Sequence, residues 1–185
     1  MVVPTRAFHG IRVAGWVCAG LLAGAMAARA EGLSLESVGV RGGFSAESGS
    51  HGFHQAEVFG NWNLPWGWDL GREFHLQSRL DLSAGWLNAH DQDAAIGTLG
   101  PSLVVSRAQW PVSLAGGLGP TFLSTHEFGE DNLGTRFQFP SHIGLNLDFA
   151  RHWRVGYRFQ HMSNAGLSTP NPGLNMHMFA LSYLF

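Results

Sequence analysis

Two stretches of this chain, Phe74–Trp86 and Phe137–Phe149, alternate large apolar and polar side chains almost without a break. In the first, Phe74, Leu76, Leu80, Leu82, Ala84 and Trp86 share one parity, against His75, Gln77, Arg79, Asp81 and Ser83. In the second, Phe137, Phe139, Ile143, Leu145, Leu147 and Phe149 stand against Gln138, His142, Asn146 and Asp148. Successive strand side chains point to opposite faces, so a period of two is the mark of a strand with one apolar and one polar side. Sustained over more than about ten residues, it suits a strand that crosses a bilayer within a closed barrel, apolar outward and polar inward. Charged residues make up 13% of the chain, where a soluble domain averages nearer a quarter. The sequence also holds 25 Gly, 7 Trp and 13 Phe. After the first thirty residues no run reaches the roughly eighteen apolar residues of a helical span. The expected fold is therefore all-β, an eight-stranded antiparallel transmembrane β-barrel over residues 31–185.

Residues 1–30 are expected to lie outside that fold. Arg6, His9 and Arg12 give a basic start, Val13 to Ala27 is apolar, and Ala28-Arg29-Ala30 offers small residues before Glu31. This is the pattern of a secretory signal peptide; a membrane helix is the alternative, for which the run is short and rich in Gly. The sole cysteine, Cys18, lies within it, so the mature chain has no disulfides.

Eight strands can be marked: Leu35–Phe44, Phe53–Asn63, Phe74–Trp86, Ile96–Val105, Val112–Ser124, Phe137–Phe149, Trp153–Ser163, and a last one from Asn175 to Phe185. An even count returns the chain to its starting side, which places both ends of the barrel in the periplasm. The polar connections Ser45–Gly52, Leu87–Ala95, Thr125–Gly134 and Asn164–Leu174 then face outward. The short ones, Ser106–Pro111 and Ala150–His152, face the periplasm. Pro65–Gly71 is read as a longer periplasmic turn whose Trp66 and Trp68 suit an interfacial aromatic girdle.

Several function classes drop out. The mature part carries 8 Arg, no Lys and 13 acidic residues, with no basic stripe for nucleic acid. His51, His54, His75, His90 and His126 show no ligand spacing, so no metal is expected. Gly116-Gly117-Leu118-Gly119-Pro120 lacks the Lys-Ser/Thr and helix of a phosphate loop. An eight-stranded barrel is filled by its own side chains, which argues against a channel. Inward Arg79, Asp81, Asn146, Asp148, Arg154 and Arg158 are the expected filling.

The seventh strand carries the informative departure. Trp153, Val155, Tyr157 and Phe159 share its apolar face, and counting on by twos puts His161 and Ser163 on that lipid-facing side. Asn175 shares the outward parity of Phe179, Leu181, Tyr183 and Phe185. All three polar residues fall near the extracellular end, at the depth of the outer leaflet. A serine hydroxyl needs a base to take its proton, and His is the usual one. The base needs a third group to fix its tautomer. Backbone N–H groups near Ala165 and Gly166, and the amides of Asn164 or Asn171, are candidate oxyanion donors. His-x-Ser alone is a weak signal in a chain with 10 His; its placement on the lipid face gives it weight, since structural His and Ser are seldom turned there. His177, also outward, reads as an interfacial aromatic, with a second base as the alternative.

Gln160-His161-x-Ser163-Asn164-Ala165-Gly166, followed by Pro170-Asn171-x-Gly173, resembles the lipid A 3-O-deacylase (PagL) family of outer-membrane enzymes. The resemblance implies an eight-stranded barrel with its active site on the outer surface. It also implies hydrolysis of the acyl chain ester-linked at position 3 of lipid A, by a His, a Ser and an acid and without a cofactor. Carried over, His161 is the base and Ser163 the nucleophile, while Asn164, Gly166 and Asn171 match positions linked to the oxyanion hole or to holding the site together. The family's acid falls fourteen residues after the His, where this chain has Asn175. An Asn can orient imidazole but cannot offset its positive charge; Glu127, Glu130 or Asp131 of the preceding outer loop is an alternative acid. The expected partner is lipid A or lipopolysaccharide in the outer leaflet of the bacterial outer membrane, and a homodimer is compatible with such a wall. Two other functions stay open at this point: a non-catalytic barrel for envelope integrity or adhesion, and an acyltransferase of the same size.

Overall fold

The computed structural model describes residues 32–46 and 52–185. The expected signal peptide, residues 1–30, lies outside the described residues, as does most of the first outer loop. The strands are β1 (Ser34–Ser45), β2 (His54–Leu70), β3 (Phe74–Ala89), β4 (Gln92–Arg107), β5 (Val112–Leu118), β6 (Thr121–Leu123), β7 (Glu127–Phe128), β8 (Asp131–Asn132), β9 (Phe137–Phe149), β10 (Trp153–Ser163) and β11 (Leu174–Leu184). Each wall strand pairs antiparallel with its neighbour, and the β1–β11 ladder closes the sheet on itself. Closure leaves no unpaired edge, the condition for strands to sit in hydrocarbon.

β5 and β6 together make one wall strand, so the wall has eight. Both pair with β4 on one side and β9 on the other. The break falls at Gly119-Pro120, where Pro has no N–H to give to the ladder. Backbone bonds bridge it, from Leu99 N–H to Pro120 O at 3.2 Å and from Gly119 N–H to Pro140 O at 3.2 Å. Backbones crowd here: a Cβ on Gly119 would lie 2.5 Å from Leu99 O.

Two connections differ from expectation. Leu87–Ala95 is no loop: Leu87 pairs with Ala94, Asn88 with Asp93 and Ala89 with Gln92. Only His90 and Asp91 are left to turn the chain, at φ 50° and 58°. That is the twist a two-residue hairpin demands, usually met by Asn-Gly; without Gly and with polar residues all round, the sequence hid it. Likewise β2 runs on to Leu70, with a register irregularity between Asn63 and Gly67, so Trp66 and Trp68 stand exposed on a β2–β3 ribbon rather than in a turn.

The outer wall is apolar as the alternation requires: Ile143, Leu145, Leu147, Val155, Tyr157, Phe159, Phe179 and Leu181 are all exposed. Inside, the lower barrel is ionic. Arg154 clasps Asp148 at 2.5 and 3.0 Å and also bonds Glu36, which takes Arg79 at 3.2 Å. Higher up, buried Glu57 pairs with Arg41 and with Arg158 at 3.1 Å. Charges this deep are tolerable only when paired and hydrogen-bonded. The outer third is instead a dry plug of Phe53, Leu87, Leu123, Phe128, Met162, Leu174 and Met176. Phe128, from the small β7–β8 hairpin, folds over the mouth and meets Phe53 edge to face at 5.2 Å.

Candidate active site

β10 and β11 build the site. Along them Met162, Leu174 and Met176 turn inward to the plug and are fully buried. The residues between, His161, Ser163 and Asn175, therefore stand on the outer wall. His161 and Asn175 are direct cross-strand partners, and their side chains meet, His161 Nδ1 to Asn175 Oδ1, at 2.7 Å. An amide oxygen can only accept, so His161 Nδ1 carries the proton and Nε2 is left with a lone pair. Among the described residues no hydrogen bond joins the Ser163 hydroxyl to His161, whose Nδ1 is engaged by Asn175.

The loop after β10 is shaped by Asn164. Its N–H donates to Asn171 Oδ1 at 3.0 Å, and its Oδ1 accepts from Gly166 N–H at 3.0 Å. Its Nδ2 donates to the carbonyls of Leu133, Ser168 and Pro170 at 3.2, 3.1 and 2.9 Å. Fully buried and spent on the loop, the Asn164 side chain has nothing left to offer an oxyanion. Ala165 and Gly166 turn the chain at φ 53° and 79°, closed by a bond from Leu167 N–H to Asn164 O at 3.0 Å. The Asn171 side-chain oxygen is engaged by Asn164 N–H, so of this side chain only the amide hydrogens remain to donate.

Three contributors escaped sequence reasoning in their roles. Gly173, at φ 71°, lies against the imidazole, and a Cβ there would come within 2.9 Å of His161 Cε1. Gly134, at φ 83°, lets the preceding outer loop pass under Pro170 and Asn164; its Cβ would fall 2.0 Å from Pro170 O. Ser141 on β9 is the other cross-strand partner of His161, so a second hydroxyl faces out at the same level. Only Gly173 had a signal, its place in the quoted motif. Of the alternative acids, Asp131 bonds His90 at 3.1 Å, while His161 Nδ1 is engaged by Asn175. His177 bonds the Tyr157 hydroxyl through Nδ1 at 2.9 Å. Among the described residues no group of three His, Cys, Asp or Glu is placed to hold a metal ion. The barrel's inner hollow, ringed by Arg41, Arg79, His142 and Arg158, is separated from His161 by the wall itself.

A polar group set in that wall is reached from the bilayer, not from a cleft. The molecule is thus, in class, an outer-membrane β-barrel whose polar site opens sideways into lipid. Residues 54–184 match the model of the lipid A 3-O-deacylase (PagL) family, and the chain belongs to that family. It is 30% identical over 128 residues to the lipid A deacylase PagL of Bordetella bronchiseptica, across 67% of this chain and 70% of that protein. The lipid A deacylase PagL of Pseudomonas aeruginosa is 41% identical over 61 residues, 33% of this chain and 35% of that one. The crystal structure of the outer membrane enzyme PagL superposes with a TM-score of 0.69 at 23% identity, covering 79% of this chain and 97% of that one, and shows the same fold.

Proposed function

We propose that this outer-membrane lipid A deacylase works as a serine esterase on the acyl chain ester-linked at position 3, with Ser163 as nucleophile and His161 as base. The observation that carries the reading is the His161–Asn175 bond of 2.7 Å on the lipid-facing wall. It fixes the tautomer in which Nε2 can accept a proton. Ser163 Oγ attacks the ester carbonyl while Nε2 takes its hydrogen. The tetrahedral oxyanion is met by the Asn171 amide, held in place by Asn164 and the turn through Gly166. Collapse breaks the bond to the sugar oxygen, which leaves with the proton from Nε2. Water then attacks the acyl-Ser163 ester, again losing its proton to Nε2; collapse breaks the acyl–Oγ bond, Ser163 Oγ takes that proton back, and the free fatty acid departs into the bilayer. No cofactor enters.

Asn175 takes the place of an acid in this scheme. It orients the ring but, being neutral, does not itself offset the imidazolium of each transition state. In a soluble triad the corresponding loss costs about 10⁴ in turnover.

The test is mass spectrometry of purified lipid A after incubation with the folded mature protein. Wild type is expected to release one acyl chain, and Ser163→Ala and His161→Ala to release none while keeping the heat-modifiable migration of a closed barrel. Release by Ser163→Ala would overturn the assignment. Intact lipid A after incubation with folded wild type would favour a non-catalytic barrel.

A further inference from the structure

The chain has no Lys, and the eight Arg that follow residue 30 are placed unevenly. Four are paired with carboxylates inside the barrel, among them Arg41 and Arg158 with Glu57. Arg72, Arg107 and Arg151 lie at the periplasmic end, in the β2–β3 turn, at the end of β4 and in the β9–β10 turn. The eighth, Arg136, stands at the outer end, directly before β9, and is exposed. Among the described residues its guanidinium has no hydrogen bond, ion pair or ring contact. The carboxylates of the outer end sit elsewhere, Asp91 and Asp93 at the β3–β4 hairpin and Glu127, Glu130 and Asp131 on the β7–β8 hairpin. Residues 133–142 and 160–178, which carry Arg136 and the site, contain no Asp or Glu.

Register fixes the height of this charge. Phe139 is the cross-strand partner of Ser163, and Phe137 is the next exposed residue above it. Two residues of strand span about 7 Å, so Arg136 leaves the backbone just above the level of Ser163, on the neighbouring strand. Its backbone is tied down. The Arg136 carbonyl accepts from Leu123 N–H at 2.8 Å, and buried Gln138 donates to the carbonyls of Leu133 and Thr135 at 3.1 and 2.6 Å. The Leu133 carbonyl is also the one that Asn164 holds at 3.2 Å, so Arg136 and the catalytic loop share one scaffold. A fixed charge with no partner in the protein takes its counter-ion from its surroundings, which at this height are the headgroups of the outer leaflet. Lipid A is a glucosamine disaccharide that bears phosphate, and phosphate oxygens match the planar fork of a guanidinium. With the ester at Ser163 and the acyl chain running down the wall, the phosphates lie above, on the level of Arg136. The acidic hairpins repel them from the rest of the rim.

We propose that Arg136 binds a phosphate of the lipid A headgroup and so orients the sugar that presents its ester to Ser163. The assignment rests on the deacylase reading above and names the headgroup contact of that same site. One charge-assisted hydrogen bond corresponds to a preference of about tenfold in kcat/KM for phosphorylated substrate.

The experiment uses the folded mature protein in neutral detergent micelles with two forms of one lipid A, bisphosphorylated and phosphate-free. The expected wild-type ratio of kcat/KM favours the phosphorylated form about tenfold, through KM. In Arg136→Gln the ratio falls towards one, and in Arg136→Lys, which keeps the charge, most of it returns. A loosened loop would instead lower both rates together and leave the ratio unmoved, which counts against the proposal. Phosphatidylglycerol is then added to the micelles with the phosphate-free form. If it raises the wild-type rate but not that of Arg136→Gln, while the two lipid A forms are cleaved equally, the phosphate belongs to a neighbouring phospholipid and the proposal fails. A wild type indifferent to substrate phosphate, or a folded Arg136→Gln that keeps the wild-type ratio, overturns this inference and leaves the deacylase reading standing. A folded wild type that cleaves neither form overturns both.

Discussion

At residue 175 the chain carries an amide where the resemblance implies an acid, and in the proposed mechanism that exchange sets the chemistry's ceiling. In the proposed mechanism the 2.7 Å contact orients the ring, while the amide brings no negative charge to the developing imidazolium. Replacing Asn175 by the isosteric Asp restores it without asking the strand to move. Asn175→Asp is accordingly expected to raise kcat at neutral pH by tenfold or more, within the range of about 10⁴ that a triad carboxylate can supply. Equal or lower turnover in steady-state assays of the folded variant would mean that orientation alone limits the enzyme. Of the six residues singled out in the sequence, His161 and Asn175 are joined directly, and Asn164, Gly166 and Asn171 form one hydrogen-bonded loop. Ser163 stands beside them with its hydroxyl unengaged among the described residues. The outward sense of His161, Ser163 and Asn175 was legible because parity is absolute along a strand. The division of labour between Asn164 and Asn171 was not, since it depends on which carbonyls of a folded loop come within reach.

Strands and loops divide in the same way. Long alternating strands such as β3, β9 and β10 are legible because the bilayer imposes one apolar face on each. Ends are not, because beyond the lipid the alternation lapses while the ladder continues, as it does through Asn88–Asp93 and down the Trp66–Leu70 ribbon. The β7–β8 hairpin was equally hidden, being two residues on each side and read as loop. Its Phe128 is fully buried in the plug, and the same outer loop supplies the Leu133 carbonyl that Asn164 holds. Removing the ring therefore acts at two places. Phe128→Ala is expected to cost about 3–5 kcal/mol of barrel stability, read from the shift of the unfolding midpoint in detergent and denaturant. Turnover on lipid A should fall with it as the loop loosens. An unchanged midpoint would show that the hairpin merely rests on the mouth.

For the whole molecule, closure is what makes a sideways site workable. A plug of Leu, Met and Phe backs the outer ends of β10 and β11, and paired charges fill the barrel below it, so the wall beneath His161 is stiff and the interior is not the route of entry. In the proposed mechanism substrate and fatty acid alike travel in the bilayer, and water reaches the acyl-enzyme from the extracellular rim. On that wall Ser163, rather than Ser141, the cross-strand partner of His161 on β9, is the proposed nucleophile. That assignment is tested most directly by treating the folded protein with a lipophilic fluorophosphonate and mapping the adduct by peptide mass spectrometry. The account predicts a single adduct on Ser163, lost in Ser163→Ala and in His161→Ala and retained in Ser141→Ala. An adduct on Ser141, or none on the folded wild type, would contradict it.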